Sequence, residues 1–405
     1  MIYLVSIGVF TSLIMTLVFI LLAVQAGIVR KGTGKIVING DAKKSIAVPL
    51  GTTLLSALSD NDIFLPSACG GGGSCGQCRC RVISGGGAIL PTELPHLCRA
   101  DKKENIRLSC QLKVRDDLKI EVPPEIFSIK KYTGVVAGNK NIGTFIKELA
   151  VDLDPGQALE FSAGAYMQID VPKYTASFSE FDICERFRAA WDRTHLFSLS
   201  AGTNEPVFRA YSLANPPADN HRMLFTIRIA TPPENAPEAP PGVGSSYVFN
   251  LKPGDRVVAS GPYGDFFVKQ SDLEMCFVGG GAGMAPMRSH IRHQLLTVGT
   301  NRKITFWYGA RDKKEMLYHD EFTALNDQFD NFDYHVALSK PDPKVPWDGM
   351  TGFVHKCLYE NYLKNHPDPT GIEYYLCGPQ PMIDTVNKML YELGVELEMI
   401  AYDQF

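Results

Sequence analysis

The chain has 405 residues, with 40 Lys and Arg against 44 Asp and Glu and a net charge of −4 at pH 7. That length gives room for two or three domains, and charges of both signs spread through the sequence offer no basic face for nucleic acid. Ten cysteines in a chain of this size suit a reducing compartment better than an exported protein.

From Ile2 to Val29 no charged residue occurs, and Ile, Leu, Val and Phe dominate. At 1.5 Å rise per residue such a helix would reach ~42 Å, more than the roughly 30 Å hydrocarbon core of a bilayer. A cleaved export signal would need basic residues ahead of a shorter apolar run, and the first basic residue is Arg30. The segment 2–29 therefore reads as a single transmembrane helix. Arg30, Lys31 and Lys35 put the remainder on the cytoplasmic side. Without an ionisable group inside it, the helix is an anchor rather than an ion path.

Residues 33–126 form the first soluble domain. Lys35–Asp41 and Ser45–Pro49 alternate as a hairpin turning at Asn39-Gly40, and Thr53–Leu58 reads as a helix start capped near Thr52 or Thr53. Strands follow at Arg79–Ile83, Ile106–Ser109 and Leu118–Val122. Between helix and strand lies Cys69-Gly-Gly-Gly-Gly-Ser-Cys75-Gly-Gln-Cys78, too glycine-rich to pack a core, with Cys110 further on. Four thiolates on two tetrahedral irons is the demand of a [2Fe–2S] cluster, and C-x5-C-x2-C…C is one residue wider than the plant-type spacing. A structural zinc site also takes four thiolates but usually pairs two C-x2-C knuckles, and this chain has one. A disulfide framework has no purpose in so long a chain. Cys80 alternates with Arg79 and Arg81 and reads as an inward-packed small hydrophobe, and Cys98, after Pro95-His96-Leu97, is the alternative to Cys110 as fourth ligand. The stretch resembles the [2Fe–2S] ferredoxins, which implies a β-grasp domain with Cys69, Cys75, Cys78 and Cys110 as ligands. The glycines would let backbone N–H groups approach the cluster's sulfurs.

Residues 129–270 read as a small antiparallel barrel, from short strands at Tyr132–Val136, Ile146–Ala150 and Met167–Asp170 separated by turn signals. Arg209-Ala210-Tyr211-Ser212 places a guanidinium and a phenol on one strand face, suited to gripping a pyrophosphate and stacking on a flavin. Gly242-Val243-Gly244-Ser245 offers backbone N–H groups and the Ser245 hydroxyl to a phosphate at a helix N-terminus. The run 231–241 is a proline-rich surface loop. Between Pro172 and Val207, Tyr174, Phe178, Phe181, Phe187, Trp191 and Phe197 either form the core of an extra subdomain or dock a partner subunit.

In residues 271–405 a buried-strand run, Leu273–Val278, leads into Gly279-Gly280-Gly281-Ala-Gly283-Met-Ala-Pro286, with a helical pattern from Met287. This is a strand, glycine loop and helix unit, with Pro286 where a third glycine would stand. Lys303–Tyr308 is a second strand ending in Gly309-Ala-Arg311, and Tyr374-Tyr-Leu-Cys377-Gly378-Pro379 is a strand and turn. Together these motifs resemble the ferredoxin–NADP⁺ reductase superfamily. The resemblance implies that Arg209 and Ser245 hold an FAD pyrophosphate, with Ala210, Gly242, Val243 and Gly244 beside it. It implies that Tyr211 stacks on the isoalloxazine and Ser212 bonds its N5. Gly280, Gly281, Gly283 and Pro286 would carry the NADH pyrophosphate, and Cys377 and Gly378 would lie beside the nicotinamide. Asp403 would stand near N5 and Phe405 would cover the flavin.

Taken whole, the chain resembles the F-subunit family of the bacterial Na⁺-translocating NADH:quinone oxidoreductases. The implied architecture is multidomain α/β and α+β: transmembrane helix, β-grasp ferredoxin domain, antiparallel β-barrel FAD domain and Rossmann-like parallel α/β NADH domain. The implied cofactors are FAD and [2Fe–2S], with NADH as electron source, other membrane subunits as partners and ubiquinone reached through the complex at the bacterial inner membrane. Two alternatives are a reductase component feeding an oxygenase and a redox-sensing module without turnover. Arg311, Lys313 and Lys314 could meet the 2′-phosphate of NADPH, whereas Glu315 would repel it; the resemblance favours NADH.

Overall fold

A computed structural model describes residues 2–28, 32–233 and 235–403, without the side chains of 2–5, 21–28, 42 and 43. Val29, Arg30, Lys31 and Phe405 lie outside the described residues. The chain divides into two compact units, Met1–Ser128 and Ile129–Phe405.

The first unit opens with helix α1 (Ile2–Ile28). Its described side chains, Ser6 to Ile20, are all exposed, with Phe10, Leu13 and Phe19 each more than 60% accessible. Among the described residues no helix is long and apolar enough to cross a membrane. Strands β1 (Thr33–Ile38) and β2 (Asp41–Pro49) form the expected hairpin, and α2 (Leu54–Ser59) follows. The Thr53 hydroxyl accepts from the Ser56 N–H and so caps α2, which buries Leu54, Leu55, Ala57 and Leu58. β3 (Arg79–Ser84), the short helix α3 (Arg99–Lys103), β4 (Ile106–Leu108) and β5 (Leu118–Glu121) complete a mixed sheet ordered β2-β1-β5-β3-β4. Only β1 and β5 run parallel. Cys80 is 2% exposed, whereas Cys98 sits outside the core and caps α3 by accepting from the Asp101 N–H.

The second unit begins with a barrel of β6 (Lys130–Gly143), β7 (Ile146–Leu153), β8 (Tyr166–Val171), β11 (Val207–Ser212), β12 (Arg222–Arg228) and β13 (Arg256–Tyr263). These pair antiparallel in the order β11-β8-β13-β6-β7-β12, and a bridge between Leu213 and Phe225 joins the two ends. Helix α5 (Val243–Asn250) lies between β12 and β13 in sequence. Between β8 and β11 come β9 (Tyr174–Ser177), α4 (Glu185–Arg193) and β10 (Ser200–Thr203), with β9 and β10 paired as a separate ribbon. The aromatic side chains there form a core: Phe178, Phe181, Phe187 and Trp191 are buried together with Phe249 of α5.

A parallel sheet follows, built from β14 (Glu274–Gly280), β15 (Ile304–Ala310), β16 (Phe332–Leu338), β17 (Met350–Thr351), β18 (Ile372–Cys377) and β19 (Ile400–Asp403). Helices α6 (Met284–Arg292), α7 (His319–Gln328), α8 (Val354–Asn361) and α9 (Gln380–Glu392) connect its strands. The order β17-β16-β15-β14-β18-β19 reverses direction at β14 and β18. Ligands of open α/β sheets bind beyond the strand ends at such a switch point. Helix α6 starts at Met284, three residues before the expected Met287. Pro286 therefore falls within the first turn, where its missing N–H costs nothing.

His290 of α6 is 1% exposed, against the rings of Phe266, Phe277 and Tyr375. Burial pulls its pKa down to about 3, and the Phe266 backbone offsets only part of this. The folded-state pKa is depressed below the ordinary 6.5. The unfolded chain therefore takes up a proton that the fold excludes, and stability is lost as pH falls from about 6.5 toward about 3. His290→Phe should make the stability profile shallower by about 1.4 kcal/mol per pH unit in that window. Denaturant melts at several pH values across that window measure this, and an unchanged slope would show that His290 is protonated in the fold.

Candidate cofactor sites

In the first unit, the cysteine loop passes between α2 and β3. Ser109 N–H donates to Cys78 O at 2.8 Å, and Leu55 N–H donates to Ser109 O at 3.0 Å, so the Cys110 segment is tied to both neighbours. Beneath it, Arg107 and Glu93 are 1% and 0% exposed. Glu93 accepts from Arg107 Nε and Nη2, from Leu108 N–H and from Leu90 N–H. Burial alone would raise the Glu93 carboxyl, but Arg107 and the two backbone N–H groups hold it below the usual range. A buried ion pair so fully hydrogen-bonded fixes β4, which ends at Leu108, two residues before Cys110.

The four predicted thiols meet in two pairs. Cys75 Sγ stands 3.4 Å from Cys69 Sγ, and Cys78 is hydrogen-bonded to Cys110. Within each pair one thiol is lowered and the other raised. Cys69 goes down through its bond with Cys75 and the N–H groups of Cys75, Ser74 and Gly73, while Cys75 goes up through the same thiol–thiol bond. Cys110 is lowered to about 7, first by Cys78 and also by the Gly73 N–H, and Cys78 is raised. Gly73 has φ +80°, and a Cβ there would stand 2.6 Å from Gln111 Nε2. The tight loop that aims its N–H at two sulfurs thus needs glycine. Among the described residues no three His, Cys, Asp or Glu side chains converge as a single-ion site requires.

In the second unit, Arg209 and Tyr211 share a face of β11, and α5 rests its N-terminus on both. A Cβ at Gly244 would lie 2.5 Å from Arg209 Cγ and 2.7 Å from the Tyr211 hydroxyl. Ser245 differs from expectation: its hydroxyl donates to Gly242 O at 3.1 Å and accepts from Ala230 N–H at 3.0 Å. It shapes the turn, leaving its backbone N–H for a phosphate. Ser246 Oγ is buried and lies against the Tyr174 phenol. Uncapped N–H groups beside a guanidinium fit a bound pyrophosphate.

At the switch point, the loop after β14 meets the turn after β18. A Cβ at Gly283 would lie 2.2 Å from Cys377 O, and one at Gly378 would lie 3.0 Å from Gly280 O. Cys377 is fully buried, and burial, then the nearby Asp403, push its thiol up. Cys377 and Asp403 are register partners on β18 and β19, and Ser212 Oγ donates to Asp403 Oδ2 at 3.2 Å. Residues 191 positions apart thus face one another across the barrel and the parallel sheet. Glu315 is committed elsewhere: its carboxylate accepts from Thr144 N–H at 3.2 Å on the barrel hairpin. Lys313 Nζ stands 5.4 Å over the Trp347 ring.

Sequence reasoning missed the Glu93–Arg107 pair, the buried Lys147 and the contacts of Tyr174. A charged residue deep in a strand looks the same in sequence as one on its solvent face, and nothing local marked these three.

Residues 36–115 match a family described as a 2Fe-2S iron-sulfur cluster binding domain, 193–268 an oxidoreductase FAD-binding domain and 277–388 an oxidoreductase NAD-binding domain. The molecule is of the ferredoxin-reductase class, a flavoprotein fold that carries its own [2Fe–2S] domain. Two solved structures share the fold. An Amycolatopsis cytochrome P450 reductase is 23% identical, with a TM-score of 0.63 over 92% of this chain and 99% of that one. The ferredoxin reductase in carbazole 1,9a-dioxygenase is 22% identical, with a TM-score of 0.60 over 93% and 99%. Sequence likeness is higher to the F subunits of Na(+)-translocating NADH-quinone reductases. The proteins of Yersinia enterocolitica and Neisseria meningitidis serogroup C are each 50% identical over 396 residues, 98% of this chain and 97% of theirs. The chain belongs to the F-subunit family of the Na(+)-translocating NADH-quinone reductases.

Gly283→Ala should displace backbone at the switch point, raising the NADH concentration for half-maximal flavin bleaching about tenfold or more and lowering the Tm by several degrees. Gly281→Ala, with φ +57° but nothing within 4 Å of its Cβ, should cost only about 1 kcal/mol. Equal effects from the two would show that contact with Cys377 is not the constraint.

Proposed function

We infer that this chain is the electron-input subunit of a membrane respiratory complex. It oxidises NADH and delivers electrons one at a time to partner subunits and finally to ubiquinone, coupled in the whole complex to Na⁺ export. The observation that carries this is the 50% identity along 98% of the chain to subunits of that name, joined to intact cluster, flavin and nicotinamide motifs. Bound FAD supplies the change from hydride to single-electron chemistry, and the [2Fe–2S] cluster carries the single electrons.

The protein's part is positioning. Arg209 and the N–H groups of α5 hold the pyrophosphate of FAD, and Tyr211 stacks on its ring. Gly280, Gly281 and Gly283 admit the NADH pyrophosphate to the start of α6. Cys377, buried and neutral, closes the hydride site without offering a competing nucleophile. Ser212 Oγ and Asp403 Oδ2, in hydrogen-bond contact, would accept the proton that leaves flavin N5 when the reduced flavin is re-oxidised. Cys69, Cys75, Cys78 and Cys110 would hold the cluster as thiolates, so its assembly would release the protons now held within the thiol pairs.

Helix α1 anchors the chain in the bacterial inner membrane, with the soluble units on the cytoplasmic side. This rests on the uncharged run from Ile2 to Val29 and the basic residues that follow it.

Stopped-flow mixing of the full chain with NADH tests the electron order, with flavin bleaching expected first and cluster bleaching second. Cys75→Ser should abolish the reduced-state EPR signal yet leave flavin bleaching; a retained signal would remove Cys75 from the ligand set. Asp403→Asn should slow NADH-driven dye reduction roughly 10²-fold with FAD content unchanged. An unaltered rate would take Asp403 out of the proton path.

A further inference from the structure

The insertion between β8 and β11 has no counterpart in the cluster, flavin and nicotinamide motifs, and four of its aromatic side chains, Phe178, Phe181, Phe187 and Trp191, are buried. What they touch is α5. That helix has eight residues, Val243–Asn250, includes Gly, Ser and Val, and among the described residues has no side-chain cap at Gly242. So short a helix of such composition is not stable by itself, and packing must hold it.

The insertion reaches both of its ends. At the N-terminus, the Tyr174 hydroxyl of β9 donates to Val243 O at 2.5 Å, and its ring meets Tyr247 edge-on with centroids 5.4 Å apart. Burial pushes this phenol up to about 12, while Ser246 and the Tyr247 backbone offset part of that rise. At the C-terminus, Phe249 is fully buried, stacked on Trp191 at 5.9 Å and tilted against Phe181 at 6.0 Å. Lys252, just past the helix, donates to Glu180 O at 3.0 Å.

The barrel grips the same end. Asn139 Nδ2 donates to Val248 O and Leu251 O at 2.7 and 2.8 Å, and Lys147 Nζ donates to Phe249 O at 3.3 Å. Phe249 O and Leu251 O belong to the carbonyls that a helix C-terminus leaves without a helical partner, and Val248 O accepts from the Leu251 N–H as well. Trp191 Nε1 in turn donates to Thr144 O at 2.7 Å, tying the insertion to the hairpin between β6 and β7.

We propose that the aromatic insertion is a buttress that fixes α5 at both ends and so preorganises its N-terminus for the pyrophosphate of FAD, with Tyr174 as the positioning residue at that terminus. This rests on the reading that Arg209 and α5 hold the pyrophosphate. A preformed helix end spares binding the cost of ordering it.

The test uses the full chain, stripped of flavin and titrated with FAD and, separately, with riboflavin, which lacks the pyrophosphate. Tyr174→Phe keeps the ring and removes only the hydroxyl. It should weaken FAD about fivefold, the order of one net hydrogen bond. It should leave riboflavin binding and the melting temperature of the flavin-free chain unchanged while shrinking the FAD-induced rise in Tm. Trp191→Phe should act in the same direction. FAD binding as tight as in the parent chain would overturn the proposal, as would equal losses of FAD and riboflavin. Arg209→Ala separates the two readings. If it weakens FAD and Tyr174→Phe does not, the buttress fails alone; if Arg209→Ala also binds FAD fully, the pyrophosphate site itself is misassigned.

Discussion

Backbone meets backbone at the switch point of the parallel sheet, and the nicotinamide half of the molecule is organised around that contact. The Cys377 carbonyl stands where any side chain at Gly283 would begin. Only bare main chain lets the loop after β14 slide over the turn after β18. That approach brings the α6 N-terminus next to Cys377. Because β19 pairs with β18 in register, Asp403 arrives beside the same thiol. Ser212, from the barrel, then needs only its own strand's end to reach the carboxylate.

The flavin side meets the opposite problem. Its phosphate-facing helix is short and uncapped, and little in its own sequence makes it helical. The fold answers from outside, with Asn139 and Lys147 on the last carbonyls and Phe249 buried in a foreign aromatic core. In the ferredoxin unit a comparable task falls to Glu93 and Arg107, which hold the strand ahead of Cys110 from beneath. In both places the segment proposed to hold a cofactor has little rigidity of its own. The rigidity comes from buried polar groups one layer behind.

This division explains what could be read in advance. Cysteine spacing, the glycine loops and Arg209-Ala-Tyr211-Ser212 are local patterns tied to local chemistry, so they were legible before any fold was known. The barrel was legible in kind but not in extent. Strand β6 runs on to Gly143, past the expected end at Val136, because register irregularities after Val136 and Asn141 break the two-residue alternation. The Ser212–Asp403 contact joins residues far apart in the chain; the family resemblance set each of them near the flavin but did not name the contact between them. Lys147 and Arg107 could not be foreseen, since burial of a charge depends on partners brought by topology.

The fold by itself does not say where the electrons go. Two oxygenase-type reductases share it at 22% and 23% identity, and whole-chain identity of 50% is what separates the families. The architecture nevertheless suits the oxidation of NADH by a flavin. Hydride transfer requires the donor carbon and the acceptor atom to be in contact, so flavin and nicotinamide residues must be held to a fraction of an ångström. Ser212, Cys377 and Asp403 accordingly lie in one compact unit, Ile129–Phe405. A single electron needs no such contact. The cysteine loop can therefore belong to a unit of its own, Met1–Ser128, with its own sheet and its own buried ion pair to hold it.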